Sequence, residues 1–422
     1  MNYKQAMEKM EQIAKKGSVL GLEPVSILCE RLGNPQDKIN VIHIAGTNGK
    51  GSILAYLESI FREGGYKVGK YSSPTLFSYL ERFKINGENM EEEEFASYFT
   101  KIDKCLNEMK KTNAPMPTAF EVETAIAFDF FYEKGVDVVL LETGMGGALD
   151  ATNIVKHPVC TVIASVDMDH MVFLGNTLSK IAEKKAGIIK ESVPVVVSPN
   201  QKKEAIGVLI ETAERKHAPF FQAQMPEIYD FSLEKQSFYF PEKEGKKYEI
   251  ALLGTHQPEN AATALKVVEV LKENFPFTEL QIAEGLKNTK WPARFEMIEK
   301  EPLVIRDGAH NENAALRLKE SLQKYFTKPQ FIYIMGVLKD KEYEKIIDIM
   351  APMTELVYVI APKNERALPA EELKAAWEKH NKKVIVAKDA KEALKLALHV
   401  YGEESGILCF GSLSFMSELT SA

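Results

Sequence analysis

Residues 45 to 52 read Ala-Gly-Thr-Asn-Gly-Lys-Gly-Ser, and this octapeptide constrains the fold more than any other stretch of the chain. An apolar run, Ile39 to Ile44, precedes it. Ile53, Leu54, Leu57, Ile60 and Phe61 follow at helical spacing until Gly64-Gly65 ends the pattern. Strand, glycine turn and helix in that order form a cradle for phosphate. The glycines let backbone N–H groups converge on an anion, the helix N-terminus adds about half a positive charge, and a lysine reaches the terminal phosphates. Thr47, Asn48, Gly49, Lys50, Gly51 and Ser52 are therefore the candidate nucleotide contacts. The usual Walker spacing is absent, because Ile44 stands where that pattern has its first glycine and Gly51 where it has Ser or Thr. The loop alone leaves ATP and GTP open.

Of the further strand candidates at 66–72, 136–141, 159–166 and 193–198, most are continuous apolar runs, the pattern of parallel strands buried on both faces. Polar residues gather just past their ends: Ser72 and Ser73, Glu142 and Thr143, then Asp167, Asp169 and His170. Open parallel sheets bind ligands beyond the carboxyl ends of their strands, so one active edge is expected. Segment 74–118 reads as an excursion from the sheet with a helix near 95–109, and residues 228–253 read as a β-hairpin before a helix at about 258–274. A second set of βα units begins after Trp291-Pro292, with strands near 303–306, 330–335, 356–360, 383–387 and 406–410. The expected class is α/β. Residues 1–295 form a P-loop ATPase-like domain with a mostly parallel sheet, and residues 296–422 a smaller Rossmann-like α/β domain.

A length of 422 residues suits two domains. The formal net charge of -7 weighs against nucleic acid or an anionic membrane as the main partner, so small molecules are the expected ligands. Cys29, Cys105, Cys160 and Cys409 form no CxxC pair and mostly have apolar neighbours, which reads as free thiols in a reducing compartment. No stretch reaches the roughly 18 apolar residues of a membrane span, and the N-terminus lacks an apolar signal core. A cytoplasmic monomer is expected.

Glu142 ends a buried strand and opens Glu-Thr-Gly-Met-Gly-Gly-Ala-Leu-Asp-Ala-Thr-Asn. A carboxylate there, near a phosphate loop, suits Mg²⁺, a hard cation held by few protein oxygens and by phosphate; capping of the glycine turn is the competing reading. His170 alone reads as structural, and its aspartate-rich strand-end company makes it a candidate ligand. Lys184 and Lys185 read by composition as a solvated helix face, and Ser72 and Ser73 as caps. Arg306-Asp307-Gly308-Ala309-His310-Asn311 joins another strand to a helix, where such residues meet phosphate or ribose or simply form an Asp-Gly turn. His43, His157, His217, His380 and His399 have no supporting constellation.

Taken together the chain resembles the folylpolyglutamate synthase and dihydrofolate synthase family of the Mur-ligase superfamily. The resemblance runs from Leu20-Gly21-Leu22-Glu23 and Leu32-Gly33-Asn34-Pro35 through the phosphate loop, Ser72-Ser73-Pro74, Glu81-Arg82, Ile85-Asn86-Gly87-Glu88 and Thr118-Ala119-Phe120-Glu121. It continues through Leu149-Asp150-Ala151-Thr152-Asn153, Glu183 to Lys190, His256-Gln257 with Asn260, Trp291 to Glu296 and Asp307 to Asn311. By similarity Lys50 and its loop hold the ATP phosphates, and Ser73, Glu142 and His170 ligate magnesium. Lys185 matches a lysine that the family carries as a carbamate, an anionic form that suits a site near Mg²⁺. Asn260, Arg294, Asp307 and His310 match residues that contact ATP, and Lys50, His170 and Lys185 are the implied catalytic set.

The implied reaction activates a folate γ-carboxylate as an acyl phosphate, which L-glutamate then displaces. Thr75 and Ala148 stand where the family commonly has His and Arg, and residues 411–415 only partly follow its usual GSLYL; the preferred folate, or dihydropteroate, is left open. Two other functions compete. A ligase acting on a UDP-muramoyl substrate shares the GTNGK loop but places a sugar-nucleotide domain before it, and only 44 residues precede Ala45. A catalytically silent nucleotide-binding protein would not need Lys50, Glu142, His170 and Lys185 together.

Overall fold

The structure, a computed structural model, describes residues 1–15, 17, 21–169, 171–241, 246–402 and 406–419, without the side chains of Met171 and Val172. The chain divides into two compact units, the first Met1–Pro226 with Glu259–Thr289 and the second Glu227–Pro258 with Lys290–Ala422. Both are α/β, the class expected.

The first unit carries β1 (Val41–Ala45), β2 (Val68–Tyr71), β3 (Phe83–Ile85), β4 (Glu88–Asn89), β5 (Val138–Glu142), β6 (Cys160–Ile163), β7 (Val195–Val197) and β8 (Phe220–Gln222). They form one sheet in the order β4-β3-β2-β5-β1-β6-β7-β8. The strands from β2 to β8 in that order run parallel, while β3 and β4 pair antiparallel at the edge. The expected excursion thus returns to extend the sheet before the helix Glu92–Lys111. Strand β1 lies between β5 and β6 and is buried at every residue, so the loop after it is held from both sides. Apolar side chains from β1 and β5 pack with the helix Ala119–Glu133 in one core, and those of β6 and β7 with the helices Leu178–Ala186 and Lys203–Arg215 in another.

The second unit begins with β9 (Glu227–Phe231), β10 (Gln236–Tyr239) and β11 (Lys247–Ile250), a three-stranded antiparallel sheet rather than a two-stranded hairpin. The division expected at residue 295 kept this segment with the N-terminal domain, whereas its packing places it with the C-terminal one. Phe231 meets Tyr325 with ring centroids 5.6 Å apart, Thr255 N–H donates to Ser321 Oγ at 3.0 Å, and the strands do not join the large sheet. The chain then supplies β12 (Glu296–Lys300), β13 (Leu303–Arg306), β14 (Phe331–Met335), β15 (Leu356–Val359), β16 (Lys383–Val386) and β17 (Gly406–Phe410). Their order is β12-β13-β17-β14-β15-β16, parallel except for β12 against β13. Strand β12 escaped sequence reading because Glu296, Glu299 and Lys300 interrupt its apolar pattern on a sheet edge.

Among the described residues no helix is long and apolar enough to cross a membrane. Cys29, Cys105, Cys160 and Cys409 are free.

Candidate active site

The loop after β1 runs into the helix Lys50–Glu63, whose N-cap is Gly49 in the left-handed region at φ 88°. A Cβ there would lie 2.5 Å from Asn260 Oδ1, so only glycine combines that turn with this neighbour. At Gly46 a Cβ would lie 2.6 Å from that of Ala164 at the tip of β6. The loop is stitched to that tip. Thr47 and Asn48 N–H donate to Ser165 O at 2.7 and 3.3 Å. Thr47 Oγ1 donates to Asp167 O at 2.9 Å and accepts from Asp167 N at 3.0 Å.

Two lysines converge on one carbonyl. Lys50 Nζ donates to Gly46 O at 3.1 Å and Thr47 O at 3.3 Å, and Lys185 Nζ donates to Gly46 O at 2.8 Å. Lys185 sits on the helix Leu178–Ala186 and is 3% exposed. Burial, with the Lys50 charge beside it, pulls its ammonium down to about 7, against the opposing pull of Asp169 and Asp150. A lysine that composition marks as a solvated face is therefore a buried group at the phosphate loop.

Glu142 ends β5 one strand away, paired in register with Ile44, and is 5% exposed. Its Oε1 lies 3.9 Å from Lys50 Nζ, and its Oε2 accepts from Ser73 N–H at 3.4 Å. Lys50, Ser73, Glu142, Lys185, Asn260 and loop residues 47–49 are thus linked through these contacts around the phosphate loop. Ser52 is buried in the first turns of the helix that begins at Lys50. His170 lies outside the described residues. Among the described residues no three His, Cys, Asp or Glu side chains group as a metal site. Buried Glu142 with the Ser73 hydroxyl is a hard-oxygen donor set of the kind Mg²⁺ takes, so these residues fit that ion.

The turn after Glu142 is anchored by Asp150, which accepts from Met145 N at 2.7 Å, Thr152 N at 3.1 Å and Thr152 Oγ1 at 2.6 Å. Burial raises its carboxyl, and these hydrogen bonds oppose the rise. Because Thr152 Oγ1 donates to Asp150, it accepts from His43 Nε2 at 2.8 Å, and burial lowers His43 to about 3. His43 is structural, as expected, but belongs to a chain of hydrogen bonds. The same turn seats the Lys185 helix, since Ala148 N donates to Lys184 O at 2.7 Å and a Cβ on Gly147 would lie 2.9 Å from Lys185 O. Sequence reading missed Gln201 and Lys202 just past β7. Gln201 bonds Val166 N and Ala164 O, and Lys202 Nζ pairs with Asp167 Oδ1 at 2.7 Å. The strand-end rule that found Glu142 points there too.

In the second unit Arg294, Asp307 and His310 form a separate group. Asp307 follows β13 directly, and its two oxygens accept from Phe295 N at 2.7 Å and Ala309 N at 2.8 Å. Burial raises its carboxyl while Arg294 opposes the rise. The Arg294 guanidinium occupies the space a Cβ on Gly308 would need. His310 Nδ1–H donates to Gly308 O at 2.8 Å, and Asn311 caps the following helix by accepting from Ala314 N.

Comparison with known proteins matches residues 44–268 to the Mur ligase middle domain and residues 293–413 to the Mur ligase glutamate ligase domain. The chain is 36% identical over 427 residues to a dihydrofolate synthase/folylpolyglutamate synthase of Bacillus subtilis, covering 99% of this chain and 98% of that protein. The folylpolyglutamate synthase structure from Thermotoga maritima superposes with a TM-score of 0.85 at 34% identity, over 98% of this chain and 96% of that one. That of Mycobacterium tuberculosis, complexed with ADP and AMPPCP, gives 0.88 at 27% identity over 99% and 98%.

Proposed function

Since the chain belongs to the folylpolyglutamate synthase and dihydrofolate synthase family of Mur ligases, we propose that it joins L-glutamate to the γ-carboxylate of a folate at the expense of ATP. The observation that carries this reading is the meeting of Lys50 and Lys185 at the Gly46 carbonyl, with Glu142 3.9 Å from Lys50. A UDP-muramoyl ligase and a silent nucleotide binder are the weaker readings, because the likeness to folate ligases extends over nearly the whole chain.

A carboxylate resists amine attack because its charge repels the nucleophile and oxide is a poor leaving group. Transfer of the γ-phosphoryl group to the folate carboxylate forms a C–O–P linkage and releases ADP. The neutral amine of glutamate then forms the C–N bond, phosphate departs with the C–O electron pair, and the amine proton passes to solvent. Lys50 is the residue proposed to neutralise the terminal phosphates, and residues 47–49 those proposed to orient them. Ser73 and Glu142, with His170, are the residues proposed to hold Mg²⁺, which when bound neutralises phosphate oxygens. Asn260, beside Gly49, is a proposed nucleotide contact, and Arg294, Asp307 and His310 are the proposed contacts from the second unit.

Lys185 is proposed as the carbamate-bearing lysine. Only a neutral amine adds CO₂, and a buried lysine drawn to about 7 supplies one at neutral pH. The four free cysteines suit a reducing compartment, and the enzyme is proposed to act in the cytoplasm as a monomer.

The deciding experiment measures ADP release with and without glutamate, using tetrahydrofolate and dihydropteroate in turn, and weighs the product. A product one glutamyl unit heavier, dependent on both substrates, is expected. No product from either acceptor would overturn the proposal.

A further inference from the structure

Arg294 sits between two residues with uncommon backbones. Ala293 has φ 56° and Phe295 has φ 45°, both in the left-handed region that non-glycine residues avoid. Such a pair persists only when its surroundings impose it, and the surroundings here can be traced bond by bond.

Glu296 Oε2 accepts from Ala293 N–H at 2.6 Å. The same carboxylate takes a two-pronged bond from Arg306, Nε to Oε2 at 2.7 Å and Nη2 to Oε1 at 3.2 Å. The remaining Arg306 nitrogen, Nη1, donates to Met416 O at 3.0 Å and Leu419 O at 3.1 Å. Arg306 is 6% exposed, so the guanidinium side of the pair is shielded from water although the Glu296 side chain is 31% exposed, and a planar guanidinium with four acceptors in place has little freedom left. On the other side Asp307 holds Phe295 N–H, and Gly308 N–H donates to Ala293 O at 2.9 Å. The peptide that carries Arg294 is therefore pinned before and after the arginine, and its guanidinium is laid over Gly308.

We propose that Glu296 and Arg306 are positioning residues for Arg294: their ion pair, braced on the carbonyls of Met416 and Leu419, fixes the left-handed bend that delivers Arg294 to the nucleotide. Both act through Arg294 and not as nucleotide contacts themselves. The inference rests on the reading of Arg294 as a nucleotide contact, and extends it by making residues 416–419, remote in sequence, part of what sets affinity for ATP.

The test uses the full chain with Glu296→Ala, Glu296→Gln, Arg306→Met and Arg294→Ala, reading KM for ATP, KM for glutamate, melting temperature and amide exchange. Glu296→Ala and Arg306→Met are expected to raise KM for ATP at least fivefold with KM for glutamate within twofold. Glu296→Gln keeps an acceptor for Ala293 N–H and should recover most of that loss. Amide exchange at Ala293 and Phe295 should quicken at least tenfold in Glu296→Ala. Lower melting temperatures with unchanged KM for ATP would overturn the proposal, because the pair would then serve only the fold. Unchanged exchange at Ala293 and Phe295 would overturn it as well, whatever the kinetics. An unaltered KM for ATP in Arg294→Ala would instead defeat the underlying reading of Arg294, while the exchange data still judge the positioning. Should Glu296→Ala fail to fold, Arg306→Met carries the same outcomes for KM and for amide exchange.

Discussion

Lys50 and Lys185 share a single carbonyl, and the burial of one makes it a titrating group near neutrality. With Lys185 as the free amine, in protein freed of CO₂, the folded chain releases its proton near 7, while the unfolded chain holds it to its ordinary 10.5. Between those values the unfolded state binds more protons, so folded stability should rise with pH by up to about 1.4 kcal/mol per unit from this group. Below 7 the full cost of the buried ammonium is present. Lys185→Met should flatten the slope of chemical-denaturation stability between pH 7 and 10; an unchanged slope would refute the assignment. Lys50→Ala should reduce ligation at least a hundredfold with little change in melting temperature, since its partners are loop carbonyls and a carboxylate rather than core. Gly308→Ala should displace the Arg294 guanidinium and weaken ATP binding about tenfold, roughly 1.4 kcal/mol by the usual conversion, as isothermal titration would show.

At the scale of elements, the helix Glu279–Lys287 packs closely on the helix Lys50–Glu63. A Cβ on Gly285 would lie 2.5 Å from Ile60 Cα, which is backbone and cannot swing aside. Gly285→Ala should therefore cost about 1–3 kcal/mol despite its better helix propensity, and a melting temperature at or above wild type would contradict that. Such a close approach shows where sequence reading stops. The strand–loop–helix at Lys50 was legible because turn glycines, lysine and apolar periodicity coincide within a dozen residues. The carboxylate of Glu142 was legible because a strand end announces it. The burial of Lys185 was not, since charge runs such as Lys184-Lys185 read as solvent-facing, which holds for the exposed Lys184 but not for Lys185, turned inward to the Gly46 carbonyl beneath the Gly147 turn. Likewise β12 is amphipathic on an edge, and the bracing of Arg294 by Glu296 and Arg306 depends on Met416 and Leu419, far along the chain and without a local signature.

For the whole molecule the division into units is not a division of the sequence. Residues 227–258 belong with 290–422, through Phe231 on Tyr325, Thr255 on Ser321 and Lys300 Nζ with Glu234 at 2.8 Å. A fragment beginning at Lys290 should therefore melt less cooperatively than the same fragment mixed with or linked to residues 227–258. Equal melting of the two would mean that the small sheet contributes nothing to that unit. The same interleaving has a consequence for biosynthesis. Phe61 and Tyr66 pack edge-on against Phe275 and Phe277, with ring centroids 5.0 to 5.5 Å apart. A ribosome adding about 5–20 residues per second reaches Phe275 on the order of ten to forty seconds after Phe61. During that interval the nascent nucleotide helix waits with its aromatic flank bare, a natural foothold for chaperones, and it gains its cover only after the first stretch of the other unit has already been translated.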